Sequence, residues 1–391
     1  YAAYYEEKMG EDEAAKKSLE KAEGCVSDYC FPIKLDDNAV LTFAIENGCK
    51  KKAPYYLGNL FYDKLQWKKS VELWEMSKKA DDTFSIVHRN LALAYYNKMG
   101  DSKAAKRELE KAFSLNRKDA RIFLELDQLY KKLGYSFKER LAKYDEDPSL
   151  AESRDDLYIE YITLMNMCGE YERAYRCIMG RRFHPWEGGE GKITTQYTIS
   201  LLEMAKQCLA SEKYEQAEKL LKKALVYPEN LGEGKLEGTK DNHLFYHLGL
   251  ALEAQGKHDE AKTCFETATI GTDEPAGAMY YNDQPADMIL YQGLAFEKLG
   301  KTREAKSRFY RLIDYGEQHL NDEGKIEYFA VSLPDFLIFD EDYTKKNRAH
   351  CCYLMALGNI GLQNREKAAA FLNEALDIEP SQMMATLYQK Q

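Results

Sequence analysis

Apolar and small residues recur along this chain as pairs of short stripes at helical spacing. In the clearest stretch, Leu248 and Leu252 lie four apart with Gly249 between them, Gly256 breaks the pattern, and Ala261, Phe265 and Ala268 resume it at i, i+4 and i+7. The first stripe predicts a helix that its glycine lets a neighbour approach closely, and the second an antiparallel helix with a small, large, small face. The same order returns at Gly293, Phe296, Gly300, Ala305, Phe309 and Leu312, at Leu57, Gly58, Phe61, Ser70, Trp74 and Ser77, and at Ala205, Leu209, Ala217, Leu221 and Ala224. Weaker copies carry Leu91, Ala92, Tyr95, Ala105 and Leu109, then Gly169, Tyr171, Ala174 and Ile178, then Ala368, Leu372, Ala375 and Pro380; Phe123–Tyr144 fits a pair with a degenerate second helix. Residues 9–22 and 99–112 read as nearly the same helix. About eight or nine units result. Each leaves an apolar face that only its neighbours can cover, which predicts an all-α, right-handed superhelical solenoid of helix pairs. The expected division is 1–150, whose first repeat is truncated, and 151–391, which carries long inter-repeat loops, in one continuous solenoid.

The small, large, small pattern resembles the tetratricopeptide repeat, whose unit spans about 34 residues. Here Ala217, Ala261 and Ala305 stand 44 apart. The surplus falls between the second helix of one unit and the first of the next, as inserts at Gly180–Lys192, Tyr227–Asp241 and Ile270–Asp287. Inserts at one structural point stack along one edge, a common place for a binding face. They bring together aromatics, carboxylates, amides and a histidine, a chemistry suited to gripping sugars through ring faces and hydrogen bonds. The candidate residues on this edge are His184, Trp186, Glu187, Glu190, Lys192, Tyr227, Glu229, Asn230, Glu233, Tyr280, Tyr281 and Asn282. The competing reading makes Trp186 and Phe183 plugs between repeats and the Gly and Pro residues plain turn formers. A second candidate surface is the concave groove, with Tyr56, Asn59, Asn90 and Tyr95 on first helices.

Composition narrows the partners. A net charge of −10 opposes nucleic acid and anionic lipid, and runs such as Phe336–Phe339 are far too short to span a bilayer. Nine scattered cysteines, most at positions where a helix pair buries a small side chain, fit a reducing cytoplasm. Cys25 and Cys30 lack a second ligand pair at zinc spacing, and His243 and His247, four apart, lack the glutamate of a metalloprotease helix, so no metal and no cofactor is expected. Gly189-Glu190-Gly191-Lys192 fails as a phosphate loop, with Trp186 where glycine is required and Ile193 where a hydroxyl is required. Glu187, Glu190 and Glu233 offer carboxylates for glycoside chemistry, but on exposed loops these read first as solvated charges. Glu108, Glu110 and Lys111 read as a solvated outer face.

Arg181-Arg182-Phe183-His184-Pro185-Trp186-Glu187-Gly188-Gly189-Glu190-Gly191 and Tyr227-Pro228-Glu229-Asn230-Leu231-Gly232-Glu233-Gly234 resemble the C-terminal repeat region of large gut-bacterial proteins. In that family the array follows a β-rich domain of unassigned function, for which carbohydrate activity is suspected. The resemblance implies that such a domain lies upstream of Tyr1, in line with a reading frame that opens inside a repeat. It supplies no catalytic residue. The expected function is therefore a non-catalytic binding or scaffold module for a protein partner or the chain's own upstream domain. The alternative is an accessory region of a carbohydrate-active enzyme, with the loop edge touching that domain or its oligosaccharide.

Overall fold

A computed structural model describes residues 1–184, 186, 188–277, 284–324 and 338–390. Among them every regular element is helical, apart from turns and a single 3-10 turn at Glu229–Leu231. The chain forms two compact units. In the first, α1 (Ala2–Lys8) packs on α2 (Asp12–Gly24), and α3 (Leu35–Glu46) packs on α4 (Lys52–Asp63). The helix α4 pairs with α5 (Trp67–Ala80), and α6 (Ser85–Asn97) with α7 (Ser102–Leu115), followed by α8 (Ala120–Lys132). Ile338–Asp340 also belong to this unit.

The second unit runs over the described residues from Gly134 to Gly324 and from Glu341 to Lys390. It opens with α9 (Phe137–Asp145) and the short α10 (Pro148–Glu152), then pairs α11 (Asp155–Met167) with α12 (Tyr171–Met179) and α13 (Lys192–Ala210) with α14 (Tyr214–Ala224). Three more pairs follow: α15 (Asn242–Ala254) with α16 (His258–Ala268), α17 (Met288–Lys298) with α18 (Thr302–His319), and α19 (Tyr343–Gly361) with α20 (Arg365–Ile378). The helix α21 (Met383–Gln389) follows α20 and is the last among the described residues. First helices of successive pairs touch directly, α11 on α13, α13 on α15, α15 on α17 and α17 on α19. They form one continuous row.

The residues that predicted the pairs also build them. Ala217, Ala261 and Ala305 are buried at the same point of successive second helices, and Phe265 and Phe309 each lie against the glycine of their partner helix, Gly249 and Gly293. In the α4–α5 pair Trp74 takes that place beside Gly58, and its indole N–H donates to Tyr55 O at 3.1 Å, so the ring is buried without an orphaned donor. The turn between paired helices needs a left-handed residue just before the second helix. Gly256 (φ 77°) and Gly300 (φ 74°) supply it freely, whereas Leu65 (φ 62°), Glu212 (φ 59°) and Gln363 (φ 60°) adopt it without being glycine.

One sequence expectation is corrected here. Glu108 does not lie on a solvated face: it is 4% exposed, accepts from His88 Nδ1 at 2.7 Å and pairs with Lys78 at 3.4 Å and Arg107 at 3.2 Å. Burial raises its carboxyl, and the bond to His88 with the charge of Lys78 outweighs that and holds it down to about 2. No helix among the described residues is long and apolar enough to cross a membrane.

Candidate functional site

The first two inserts interlock. Asn230 donates from its side-chain amide to Ile178 O and Arg181 O, both at 2.8 Å, and its own carbonyl accepts from Phe183 N at 2.8 Å. Glu233 accepts from Gly191 N at 2.8 Å, and burial raises its carboxyl above the ordinary value. Phe183 is 2% exposed and lies beside Tyr158, as a plug would. Tyr227 meets Tyr197 edge-on, with Lys235 Nζ 5.0 Å from its ring centre. Asn230, Glu233 and Tyr227 thus brace the edge from within.

Other candidates face outward. His184 donates its backbone N–H to Asp155 at the start of α11 (2.9 Å), with its Nδ1 3.2 Å from the same carboxylate oxygen, while most of its ring remains exposed. Arg181 pairs with Asp155 as well. Burial raises the Asp155 carboxyl, and these bonds outweigh that and lower it. The Trp186 ring lies directly over Gly189, where a Cβ would come within 2.2 Å of Cε2, and Lys192 Nζ sits 5.8 Å from the ring centre. Glu190 is exposed and accepts from Gly188 N at 2.8 Å, and Glu229 is exposed in its 3-10 turn. The described part of the third insert is tied to α18 through Asp273–Arg308 at 2.9 Å and Glu274–Arg311 at 3.4 Å. Glu187, Tyr280, Tyr281 and Asn282 lie outside the described residues.

In the first unit the groove candidates form part of a polar network along the first helices. Asn90 Nδ2 donates to Asn59 Oδ1 at 3.0 Å, which also accepts from Trp74 Nε1 at 3.1 Å, while Arg89 grips Glu125 of α8 with two donors. Asn59 and Asn90 therefore tie α4 to α6. Tyr56 stands beside Tyr55, their ring centres 5.1 Å apart. Tyr95 donates its hydroxyl to Glu75 of α5.

Seven residues beyond Asn90, on the same stripe of α6, Asn97 holds a bent, non-helical piece of chain. Its amide nitrogen donates to Ile338 O at 2.8 Å and its amide oxygen accepts from Asp340 N at 2.9 Å. Between these two bonds Phe339 is 2% exposed and meets Tyr96 edge-on, ring centres 5.0 Å apart and planes at 75°. Lys98 pairs with Asp340 at 3.2 Å and also stands 5.2 Å from the Trp67 ring centre. Burial and the Asp340 carboxylate both raise the Tyr62 phenol. Sequence reasoning missed this site. The signal available was Phe339 followed by acidic residues in the long connection between α18 and α19.

Among the described residues no group of three His, Cys, Asp or Glu side chains could hold a metal ion. His243 and His247 instead pack around Tyr291, ring centres 5.9 and 5.6 Å away, and burial lowers both imidazoles to about 3.

Residues 90–119, 243–269 and 287–315 match tetratricopeptide-repeat family models. Among solved structures the chain is similar to a tetratricopeptide repeat protein from Parabacteroides merdae ATCC 43184, at 14% identity over 75% of this chain and 96% of that one, with a TM-score of 0.32. It is also similar to the Naa15/Naa10 complex bound to HypK-THB, at 13% identity over 88% of this chain and 50% of that one (TM-score 0.36). A third is YrrB, described as a tetratricopeptide protein with an unusual peptide-binding site, at 18% identity over 66% of this chain and 100% of that one (TM-score 0.23). The paired helices described above, with these three repeat matches among them, make the fold an all-α array of tetratricopeptide-type helix pairs.

Proposed function

We propose that the chain is a non-catalytic scaffold whose helix rows hold segments of other proteins, including its own upstream domain, in a bacterial cytoplasm. The observation that supports this most directly is the grip of Asn97 on Ile338–Asp340. One side-chain amide reads the backbone of a bent segment at two points, a neighbouring ring covers the aromatic residue, and a lysine pairs with the acidic one. Backbone bonds of this kind accept any sequence, and flanking pockets select side chains, so the preferred segment carries an aromatic residue followed by an acidic one.

The test is co-purification from the source cells with the full chain, its Asn97→Ala/Lys98→Ala variant and its Trp186→Ala variant. A protein partner held by wild type and Trp186→Ala but reduced at least tenfold by Asn97→Ala/Lys98→Ala supports the scaffold reading. Equal capture by all three overturns the assignment to this surface.

The bonds that interlock the first two inserts support a second reading, in which His184, Trp186, Glu190 and Lys192 share one braced edge. On this reading the edge meets the upstream domain or an oligosaccharide bound to it. Calorimetric titration with plant and mucin oligosaccharides separates the two: heat that disappears with Trp186→Ala supports the edge, and silence leaves the scaffold.

A further inference from the structure

The row of first helices in the second unit has an occupant. The helix α21 packs on α20, its sequence neighbour, but also on α11, more than two hundred residues earlier. Leu387 is buried in a cluster with Met167 of α11 and Ile199 of α13, with Met383 and Met384 against it. Lys390 donates to Met167 O. One turn face further, Ala385 and Tyr388 join the core of α17 and α19. The Tyr388 hydroxyl donates to Tyr291 Oη at 2.8 Å, and its ring stands 6.0 Å from that of Tyr353. A helix that merely capped the last pair would cover α19 and α20. This one lies across the row, bearing on α11, α13, α17 and α19.

Its fit is good in apolar terms and incomplete in polar ones. The Tyr353 hydroxyl is buried without a hydrogen-bond partner, as is His243 Nδ1. Beside them lie Asp287, 6% exposed, and Lys206, which burial lowers but which Tyr291 and Glu203 hold above its ordinary value. A buried polar group left without a partner is destabilising, so the groove has recognition capacity that α21 leaves unused. The helix itself has seven residues. That is too short to be stable alone, and it hangs from α20 through Glu379, Pro380, Ser381 and Gln382.

We propose that the inner row of the second unit is a docking groove for an amphipathic helix of a partner protein, and that α21 is a resident mimic which the partner displaces. The partner helix carries aliphatic and aromatic residues at i, i+3 and i+4, as Met384, Leu387 and Tyr388 do here, plus a side chain that hydrogen-bonds Tyr353 Oη or His243 Nδ1. This rests on reading the chain as a protein-binding module. It concerns the second unit alone, so it can fail while the Asn97 site stands, and the reverse.

The test uses the full chain and a fluorescein-labelled peptide with the sequence of residues 380–391. The Leu387→Asp/Tyr388→Asp variant places charge on the buried face and releases α21. The expected result is saturable anisotropy with this variant and binding at least tenfold weaker with wild type, whose groove is filled. Binding to neither, or equal binding to both, overturns the proposal, and so does a variant that dimerises, because the occupant would then be a second copy. Hydrogen exchange on the unmodified protein gives an independent arm that needs no variant. Amides of α21 should exchange at least tenfold faster than those of α19 and α20; matching rates would make α21 a permanent part of the core and end the idea.

Discussion

At the scale of single residues, the left-handed turn before each second helix carries the clearest unrelieved cost. The backbone there is set by the helix pair, so Leu65, Glu212 and Gln363 take positive φ because the two helices must meet at that angle. A side chain in this region costs about 1–2 kcal/mol, against about 0.5–1 kcal/mol that glycine loses in unfolded-state entropy. Leu65→Gly, Glu212→Gly and Gln363→Gly should each stabilise the protein by about 0.5–1 kcal/mol, read as a shift in urea midpoint at constant m. The sites are in separate turns, so the three gains should add. Destabilisation by any of them would mean that the replaced side chain packs more strongly than its backbone is strained. Glu108 illustrates the opposite case, in which the local pattern pointed to solvent. A charge at helical spacing looks solvated until a second helix brings His88 to it, and that neighbour is not visible from spacing within α7.

At the scale of elements, the helix pairs were legible because their cause is local: a glycine on one helix and a bulky ring on the next record an interhelical contact directly in the sequence. Phe309 shows how tight that contact is. A Cβ on Gly293 would come within 2.2 Å of its ring, and one on Gly361 of α19 within 2.1 Å, so the ring is held from both sides and has nowhere to move. Gly293→Ala is therefore expected to cost about 1–3 kcal/mol, despite alanine's better helix propensity. Far-UV circular dichroism during urea unfolding would check it, and an unchanged midpoint would mean that the pair has slack. The two self-occupied surfaces were not legible in the same way. Ile338–Asp340 is three residues of irregular chain and α21 is under two turns of helix, and neither is long enough for periodicity to report. Their contacts reach back 241 residues from Ile338 to Asn97 and 223 from Lys390 to Met167, which no local pattern encodes. In sequence Asn230 and Glu233 read as ligand-facing, because loops rich in polar and aromatic residues look alike whether they bind each other or something else.

At the scale of the whole molecule, the buried titratable groups of the second unit give stability a pH dependence whose sign can be worked out. Burial lowers His243 and His247 from 6.5 to about 3, so on acidification the unfolded chain takes up protons below pH 6.5 that the folded chain refuses. Their contribution is full above pH 6.5 and is lost as pH falls toward 3. Asp287 runs the other way: burial raises it from 3.8 to about 6, so its folded form gains a proton first and stability rises as pH falls from 6 to 3.8. Two losses oppose one gain, and the balance from pH 7 to pH 5 should be a net loss on the order of 2–3 kcal/mol. Replacing both imidazoles with groups that do not titrate, as in His243→Gln/His247→Gln, leaves Asp287 in control. That variant's urea midpoint should hold level or rise between pH 7 and pH 5 while the wild-type midpoint falls. The comparison is internal, so it is insensitive to the acidic groups elsewhere in a chain of net charge −10 that shift both proteins alike. Parallel curves for the two proteins would mean that the imidazoles reach water in the folded state. The row beneath α21 would then be wetter than its geometry indicates, and Tyr353 and His243 would already have water as a partner.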